Sequence, residues 1–299
     1  MSDLYKEFAD HELSNGVTVR QLQMKLLEIF KYFKSICEKN GLTYWCGGGT
    51  MLGAVRHKGF IPWDDDLDVF MPRRDYERLY QIWDKVADTS QYRLVRTDRL
   101  HNYHHTDMSL VDIRTTFVNW HNVNEDIFHG CSIDVIPFEG SPNSVLGRIE
   151  QIYHTIIFAV FNAQRIPDNQ GELLKIPVKL LLGAVKDPEK RYQIWKKHET
   201  EMSKYDFYTS RYVKETITNF KAMMRKYDRS DFETIDAVFE GETVKIPKGY
   251  DSYMKRIYGN YMSHPDNILE SMKTRYNVIK YIDLESPYTV YKGIHYLVK

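Results

Sequence analysis

Gly47-Gly48-Gly49-Thr50-Met51-Leu52-Gly53-Ala54-Val55-Arg56-His57-Lys58-Gly59-Phe60-Ile61-Pro62-Trp63-Asp64-Asp65-Asp66-Leu67-Asp68-Val69 sets a glycine cluster, two basic residues and a run of aspartates close together. Three glycines between a strand and a helix let the backbone approach a ligand without side-chain interference. The free N–H groups of the following helix start would face an anion, and Thr50 adds a hydroxyl. No Gly-Lys-Ser/Thr follows, so this is not a P-loop. Asp66 and Asp68 flank Leu67, and in a strand residues two apart share a face. Two adjacent carboxylates repel, and a divalent cation removes that cost. Oxygen-only ligands favour Mg²⁺ or Mn²⁺. A solvated acidic turn would not need Leu67, Val69 and Phe70 threaded through it. Arg56 and Lys58 stand between glycines and acids, where they can neutralise phosphate oxygens or simply form surface ion pairs.

Outward from this stretch, Val19, Leu22, Leu26, Ile29, Phe33 and Ile36 step by threes and fours, which predicts a helix over 18–39 closed by Asn40-Gly41. Residues 42–46 read as a strand, 51–57 as a short helix, 59–62 as a turn and 67–71 as a second strand. Asp75 is expected to cap a helix that turns Leu79, Ile82, Trp83 and Val86 to one side. Residues 92–95, 110–114 and 132–136 read as further strands, the last ended by Pro137. This order predicts an α/β or α+β domain over residues 15–140. Residues 141–299 form a second region. Helices are expected over 145–163 and 177–186, the latter started by Pro177, and mostly helix over 188–226. A hairpin is expected over 232–246 around Glu240-Gly241-Glu242, and a helix over 251–258.

Asp134 lies in the apolar run Ile133-Asp134-Val135-Ile136, where an aspartate is costly unless paired or metal-bound. It is a candidate third ligand or general base, and Asp112 in Leu110-Val111-Asp112-Ile113 rivals it by the same logic. His101, His104 and His105 suggest zinc, but no Cys or Glu stands nearby to complete a site. Cys37, Cys46 and Cys131 form no CxxC pair. Lys plus Arg equals Asp plus Glu at 41 each, so no global field draws in nucleic acid. Neither a signal peptide nor an apolar run of spanning length is present, which points to the cytoplasm.

The run from Gly48 to Asp68 closely resembles the LicD family of phosphocholine transferases, a group that includes the fukutin-related proteins. Ile133-Asp134-Val135-Ile136-Pro137 resembles its second acidic motif. Val244-Lys245-Ile246-Pro247 with Tyr253-Met254-Lys255-Arg256-Ile257-Tyr258-Gly259-Asn260-Tyr261-Met262 resembles its C-terminal motif. The family more often has Asp before the glycine pair, where Cys46-Gly47 stands, and Asp in place of Asn260.

The resemblance implies a nucleotidyltransferase-like mixed-sheet core with an additional helical region. It implies phosphate binding by Gly48, Gly49 and Thr50, assisted by Arg56 and Lys58. Asp66, Asp68 and Asp134 become the catalytic and metal-binding carboxylates, with Mg²⁺ or Mn²⁺ as cofactor. The implied reaction moves phosphocholine from CDP-choline to a hydroxyl of a cell-surface glycan precursor, such as a teichoic acid, carried on lipid. Alternatives are a CDP-ribitol or CDP-ethanolamine donor, nucleotidyl transfer, or a silent glycan-binding module. A choline donor predicts an aromatic cage, for which Trp63, Tyr103, Phe117 and Trp120 are available. Val145, Ile149, Ile152, Ile156 and Val160 on one helical face, with apolar 156–161, predict docking on the inner membrane surface. Lys175, Lys179 and Lys186 among Leu173, Leu174, Val178, Leu180, Leu181 and Leu182 extend that pattern.

Overall fold

The computed structural model describes residues 7–165, 172–218, 220–264 and 268–297, with backbone alone for 172–175 and 271. A short ribbon, β1 (Glu12–Ser14) and β2 (Val17–Thr18), leads into helix α1 (Val19–Lys39). Thr18 and Gln21 cap this helix reciprocally, each side chain accepting the other's backbone N–H. Its apolar stripe, including Leu22, Ile29, Phe30 and Phe33, is fully buried. Asn40 and Gly41 end it as expected, Gly41 at φ +62°.

Next come β3 (Trp45–Cys46), α2 (Gly48–Arg56), β4 (Asp68–Pro72), α3 (Arg73–Val86), β5 (Tyr92–Val95), β6 (Met108–Asp112), β7 (Thr116–Asn119) and β8 (Cys131–Ser141). β8 is the spine of a mixed sheet. One edge pairs in parallel with β4, which pairs antiparallel with β3. The other edge pairs antiparallel with β6 along its first half and with β9 (Tyr212–Glu215) along its second. β5 extends the β6 side, and β10 (Tyr227–Asp228) the β9 side. The mixed α/β architecture expected from the sequence is the one observed.

Several local expectations need correction. Pro137 does not end its strand, which continues to Ser141. It falls between the β6 pairing, which stops at Val135, and the β9 pairing, which starts at Phe138, so no ladder bond on that edge needs its missing N–H. Asp75 does not cap α3. Pro72 holds the cap position, and the Asp75 carboxylate instead accepts from the Thr43 N–H and the Tyr208 hydroxyl. Residues 188–226 are only partly helical. After α4 (Val145–Ala163), α5 (Glu172–Ala184) and α6 (Pro188–Met202), the chain enters β9, and α7 (Phe220–Met224) is short. Strand β9 lacks apolar alternation because Lys214 and Glu215 are buried in it. Pro177 lies inside α5 rather than at its start. It is exposed, so water can serve the carbonyl it leaves free.

The hairpin is β11 (Thr234–Phe239) and β12 (Glu242–Pro247). Glu240 and Gly241 turn it at φ +51° and +78°, as a two-residue loop requires. Helix α8 (Tyr250–Tyr258) follows, then α9 (Ile268–Tyr276) and β13 (Ile279–Asp283). β13 pairs with β7 and so returns the C-terminal chain to the sheet domain.

Candidate functional site

The parallel register sets Asp68 on β4 directly beside Asp134 on β8, and the next pairing sets Asp134 beside Ser109 on β6. Side chains paired in this way share a sheet face. The Ser109 hydroxyl donates to Asp134 Oδ1 at 2.8 Å. The glycine turn lies against this row. The Gly47 N–H donates to the Asp68 carbonyl at 2.8 Å, and the Asp68 N–H to Thr50 Oγ1 at 2.9 Å. The glycines themselves open α2, one turn earlier than the sequence pattern indicated. Gly48 sits at φ +38°, and a Cβ there would stand 3.1 Å from Asp68 Oδ2. A Cβ on Gly49 would stand 2.7 Å from Asp64 Oδ2. The carboxylates therefore occupy the space that bare glycine backbone provides.

Asp66 lies outside β4, so the two-residue strand spacing does not place it. It reaches the site from the preceding loop, with its side chain 53% exposed. It lines both of two adjoining cavities. One, of about 470 Å³, is bordered by Gly48, Gly49, Arg56, Trp63, Asp68 and Tyr258. The other, of about 370 Å³, is bordered by Tyr103, His105, Asp107, Ser109, Phe117, Phe128 and Asp134. Arg275 of α9 also lines both. Its guanidinium lies 2.7 Å from Asp64, 2.8 Å from Asp65 and 2.6 Å from Asp66.

Burial pushes the Asp68 carboxyl well above the usual range, and Asp66, Asp134, Asp64 and Asp107 push it further. Burial and Asp134 do the same to Asp107. Among the described residues, no basic side chain stands within ion-pair distance of Asp68, Asp107 or Asp134. Converging hard oxygens with no cation among them are the donor set a Mg²⁺- or Mn²⁺-class ion requires, so the residues fit one.

Asp112 behaves differently. Its buried carboxylate takes Arg114 Nη2 at 2.7 Å and the Arg114 N–H at 3.0 Å, which makes it a structural anchor. Arg56 lines the larger cavity while donating to the carbonyls of Tyr261 and Ser263. Lys58 is exposed at φ +61° and lines neither cavity. His101 is exposed and His104 contacts the Ala163 carbonyl, so only His105 of that trio borders a cavity. The expected aromatic residues separate too. Trp63 lines one cavity, Tyr103 and Phe117 the other, and Trp120 is outside with Lys280 over its ring. The sequence reading missed Asp107, Arg275 and the cavity wall formed by Tyr258. Asp107 immediately precedes β6, which begins earlier than its pattern suggested, so unlike Asp134 it did not stand out as an acid within an apolar strand. Arg275 carried none.

A carboxylate row at a strand edge, facing a glycine-opened helix start, is an arrangement able to receive a phosphate-bearing ligand and a divalent ion. Residues 41–154 match the family described as LicD/FKTN/FKRP, nucleotidyltransferase domain. The chain is 27% identical over 261 residues to the lipopolysaccharide cholinephosphotransferase LicD of Haemophilus influenzae, covering 83% of this chain and 93% of that one. It is 29% identical over 98 residues to the ribitol 5-phosphate transferase FKRP of Homo sapiens, covering 28% of this chain and 19% of that one. It is also 24% identical over 179 residues to mannosyltransferase regulator 4 of Saccharomyces cerevisiae, covering 56% and 14%. The chain is a relative of the LicD family and a transferase of phosphate-containing groups.

Proposed function

We propose that this chain transfers phosphocholine from CDP-choline to a hydroxyl of a cell-surface glycan precursor. The observation that carries this is the Asp68–Asp134 pair, set side by side in register between two cavities. The larger cavity suits the nucleotide and diphosphate, with the α2 start and Arg56 at its wall. The smaller suits the transferred alcohol, since Tyr103, Phe117 and Phe128 share it with Asp107 and Asp134. Aromatic faces and carboxylates together favour a quaternary ammonium over a neutral polyol. Asp66, Asp68 and Asp134 would hold a divalent ion, which when bound supplies charge neutralisation for the diphosphate. Asp134, held by Ser109, takes the proton from the acceptor hydroxyl. The new oxygen–phosphorus bond forms as the bond to CMP breaks, in line. Residues 15–140 supply this chemistry, and residues 141–299 cover the site and meet the acceptor. Incubation with CDP-choline, CDP-ribitol and CDP-ethanolamine in Mg²⁺ tests the reading through CMP release. CMP release from none of the donors in the presence of a glycan acceptor refutes it, and release from CDP-ribitol alone replaces choline with ribitol.

We also propose that the helical region rests on an anionic membrane surface, where a lipid-linked acceptor would be met. Helix α4 is amphipathic in the reverse sense. It buries Gln151, Thr155 and Asn162 with Phe158 and Phe161, and turns Val145, Leu146, Ile149 and Tyr153 outward. On α5, Ile176, Leu180 and Leu181 are exposed beside Lys179, with Lys186 exposed just beyond the helix. The side chains of Leu173, Leu174 and Lys175 lie outside the described residues. An exposed apolar stripe flanked by lysines fits a lipid interface. Among the described residues, no helix is long and apolar enough to cross a membrane.

A further inference from the structure

We propose that Glu150 and His154 of α4 and Glu201 of α6 form a second metal site, for a zinc-class divalent ion, on the seam between these helices. It is separate from the aspartates of the strand edge. Glu150 and His154 are one helical turn apart, so both side chains leave the same face of α4. Glu201 meets them from α6, and one ligand atom of each residue lies within 4.8 Å of the other two. His154 Nε2 is 3.9 Å from Glu150 Oε1.

The other ring nitrogen is already engaged. His154 Nδ1 lies 2.9 Å from Nδ1 of His198, one turn before Glu201 on α6. In the tautomer whose Nδ1–H donates to His198, Nε2 carries the lone pair on the side of Glu150. A histidine ligand whose second nitrogen is held by a neighbour is the usual arrangement of a metal-bound imidazole. The His154 side chain is only 13% exposed, and the Tyr153 ring packs on the edges of both imidazoles at 5.2 and 5.7 Å. The ligand is thus oriented before any ion arrives.

Both carboxylates also converge on a common cation position. Lys204 Nζ lies 3.1 Å from Glu150 Oε1 and 3.2 Å from Glu201 Oε2. This ammonium is on an exposed, flexible stem and can swing into water when a divalent ion takes its place. One imidazole with two carboxylates balances a 2+ charge and suits Zn²⁺, Co²⁺ or Ni²⁺ rather than Mg²⁺. Three protein ligands leave a position for water. An ion there would tie α4 to α6.

The test is titration of the full chain with Co²⁺ and Zn²⁺ in millimolar Mg²⁺, read by visible absorption, calorimetry and melting temperature. One ion per chain is expected, with affinity lowered about 10-fold or more by His154→Gln and by Glu201→Gln. Lys204→Met, an exposed change that leaves the fold intact, should tighten binding several-fold because it removes the competing ammonium. Zinc should raise the melting temperature of the wild type and of Lys204→Met, but not of folded His154→Gln. No binding by wild type or Lys204→Met overturns the proposal. Binding that survives His154→Gln but is lost in Asp68→Asn also overturns it, by assigning the ion to the strand aspartates.

Discussion

Arg275→Met separates the two cations the aspartate cluster can use. Arg275 now serves Asp64, Asp65 and Asp66 together. Asp64 is only 5% exposed, so its pair dominates the balance. Removing one partner of a buried pair costs about 3–5 kcal/mol, because the remaining charge is left in a low-dielectric site. The more exposed Asp66 pair adds no more than about 1 kcal/mol. At roughly 2 °C per kcal/mol for a chain of this size, the variant should melt about 6–12 °C lower in EDTA.

Mg²⁺ then discriminates. In the wild type an ion must compete with the guanidinium for Asp66, whereas in Arg275→Met it has the carboxylate to itself. Any ligand at 100 times its Kd stabilises the folded state by about 2.7 kcal/mol. The variant should therefore recover a larger part of its loss, and reach half of its Mg²⁺ effect at a lower concentration than the wild type. Differential scanning fluorimetry across a Mg²⁺ series measures both quantities. A variant that melts with the wild type in EDTA, or whose Mg²⁺ midpoint is unchanged, refutes the idea that Arg275 and a metal share these carboxylates.

Asp66→Asn, Asp68→Asn and Asp134→Asn should each lower CMP release by about 10²-fold or more with the fold intact by circular dichroism; near-normal turnover removes that residue from the site. EDTA should abolish transfer and Mg²⁺ or Mn²⁺ restore it, and full activity after chelation excludes the metal. Lys214, buried in β9, has its pKa lowered from 10.5 to about 8 by burial and then by Arg148. The folded state disfavours the charged form, so the cost is fullest below pH 8 and vanishes above 10.5. Lys214→Met should stabilise by at most about 3 kcal/mol at pH 7 and by nothing above pH 10.5, measured by guanidinium unfolding; equal effects at both pH values contradict this. Leu146→Glu and Leu180→Glu should abolish co-sedimentation with anionic liposomes and spare activity on a soluble acceptor. Phe158 is unsuited to that test because it is 1% exposed and belongs to the core.

What the sequence disclosed about the site depended on how far apart the parts lie in the chain. The glycine turn and the aspartates of 64–68 are near neighbours, so the sequence already grouped them as one candidate site. Asp134 was legible because a charge inside an apolar strand must be explained. That it pairs with Asp68 depends on a parallel register, which no local pattern encodes. Asp107 sits just outside its strand, where an acid raises no question until Asp134 is seen beside it. Strand β9 was invisible for a related reason. It is buried with Lys214 and Glu215 in it, and a buried short strand with polar residues has neither alternation nor apolar run.

Arg275 marks the limit of local reading, and the physical reason bears on function. Its helix arrives after the hairpin and α8, and β13 then pairs with β7, so the C-terminal chain is anchored on the sheet domain just past Arg275. The Tyr276 hydroxyl donates to the Trp63 carbonyl at 2.8 Å, beside the aspartate run itself. Two anchors thus hold the guanidinium against Asp64, Asp65 and Asp66, at the boundary shared by both cavities. An arginine fixed there can meet either the carboxylates or a substrate phosphate, since both offer the oxygens a guanidinium binds bidentately. A metal that neutralises the aspartates would turn Arg275 toward the diphosphate. Metal binding and donor binding would then reinforce each other more strongly in the wild type than in Arg275→Met, which keeps only the ion's own neutralisation of the diphosphate. The gain in donor affinity on adding Mg²⁺ should be several-fold larger in the first protein than in the second, and equal coupling in both would assign Arg275 a purely structural place.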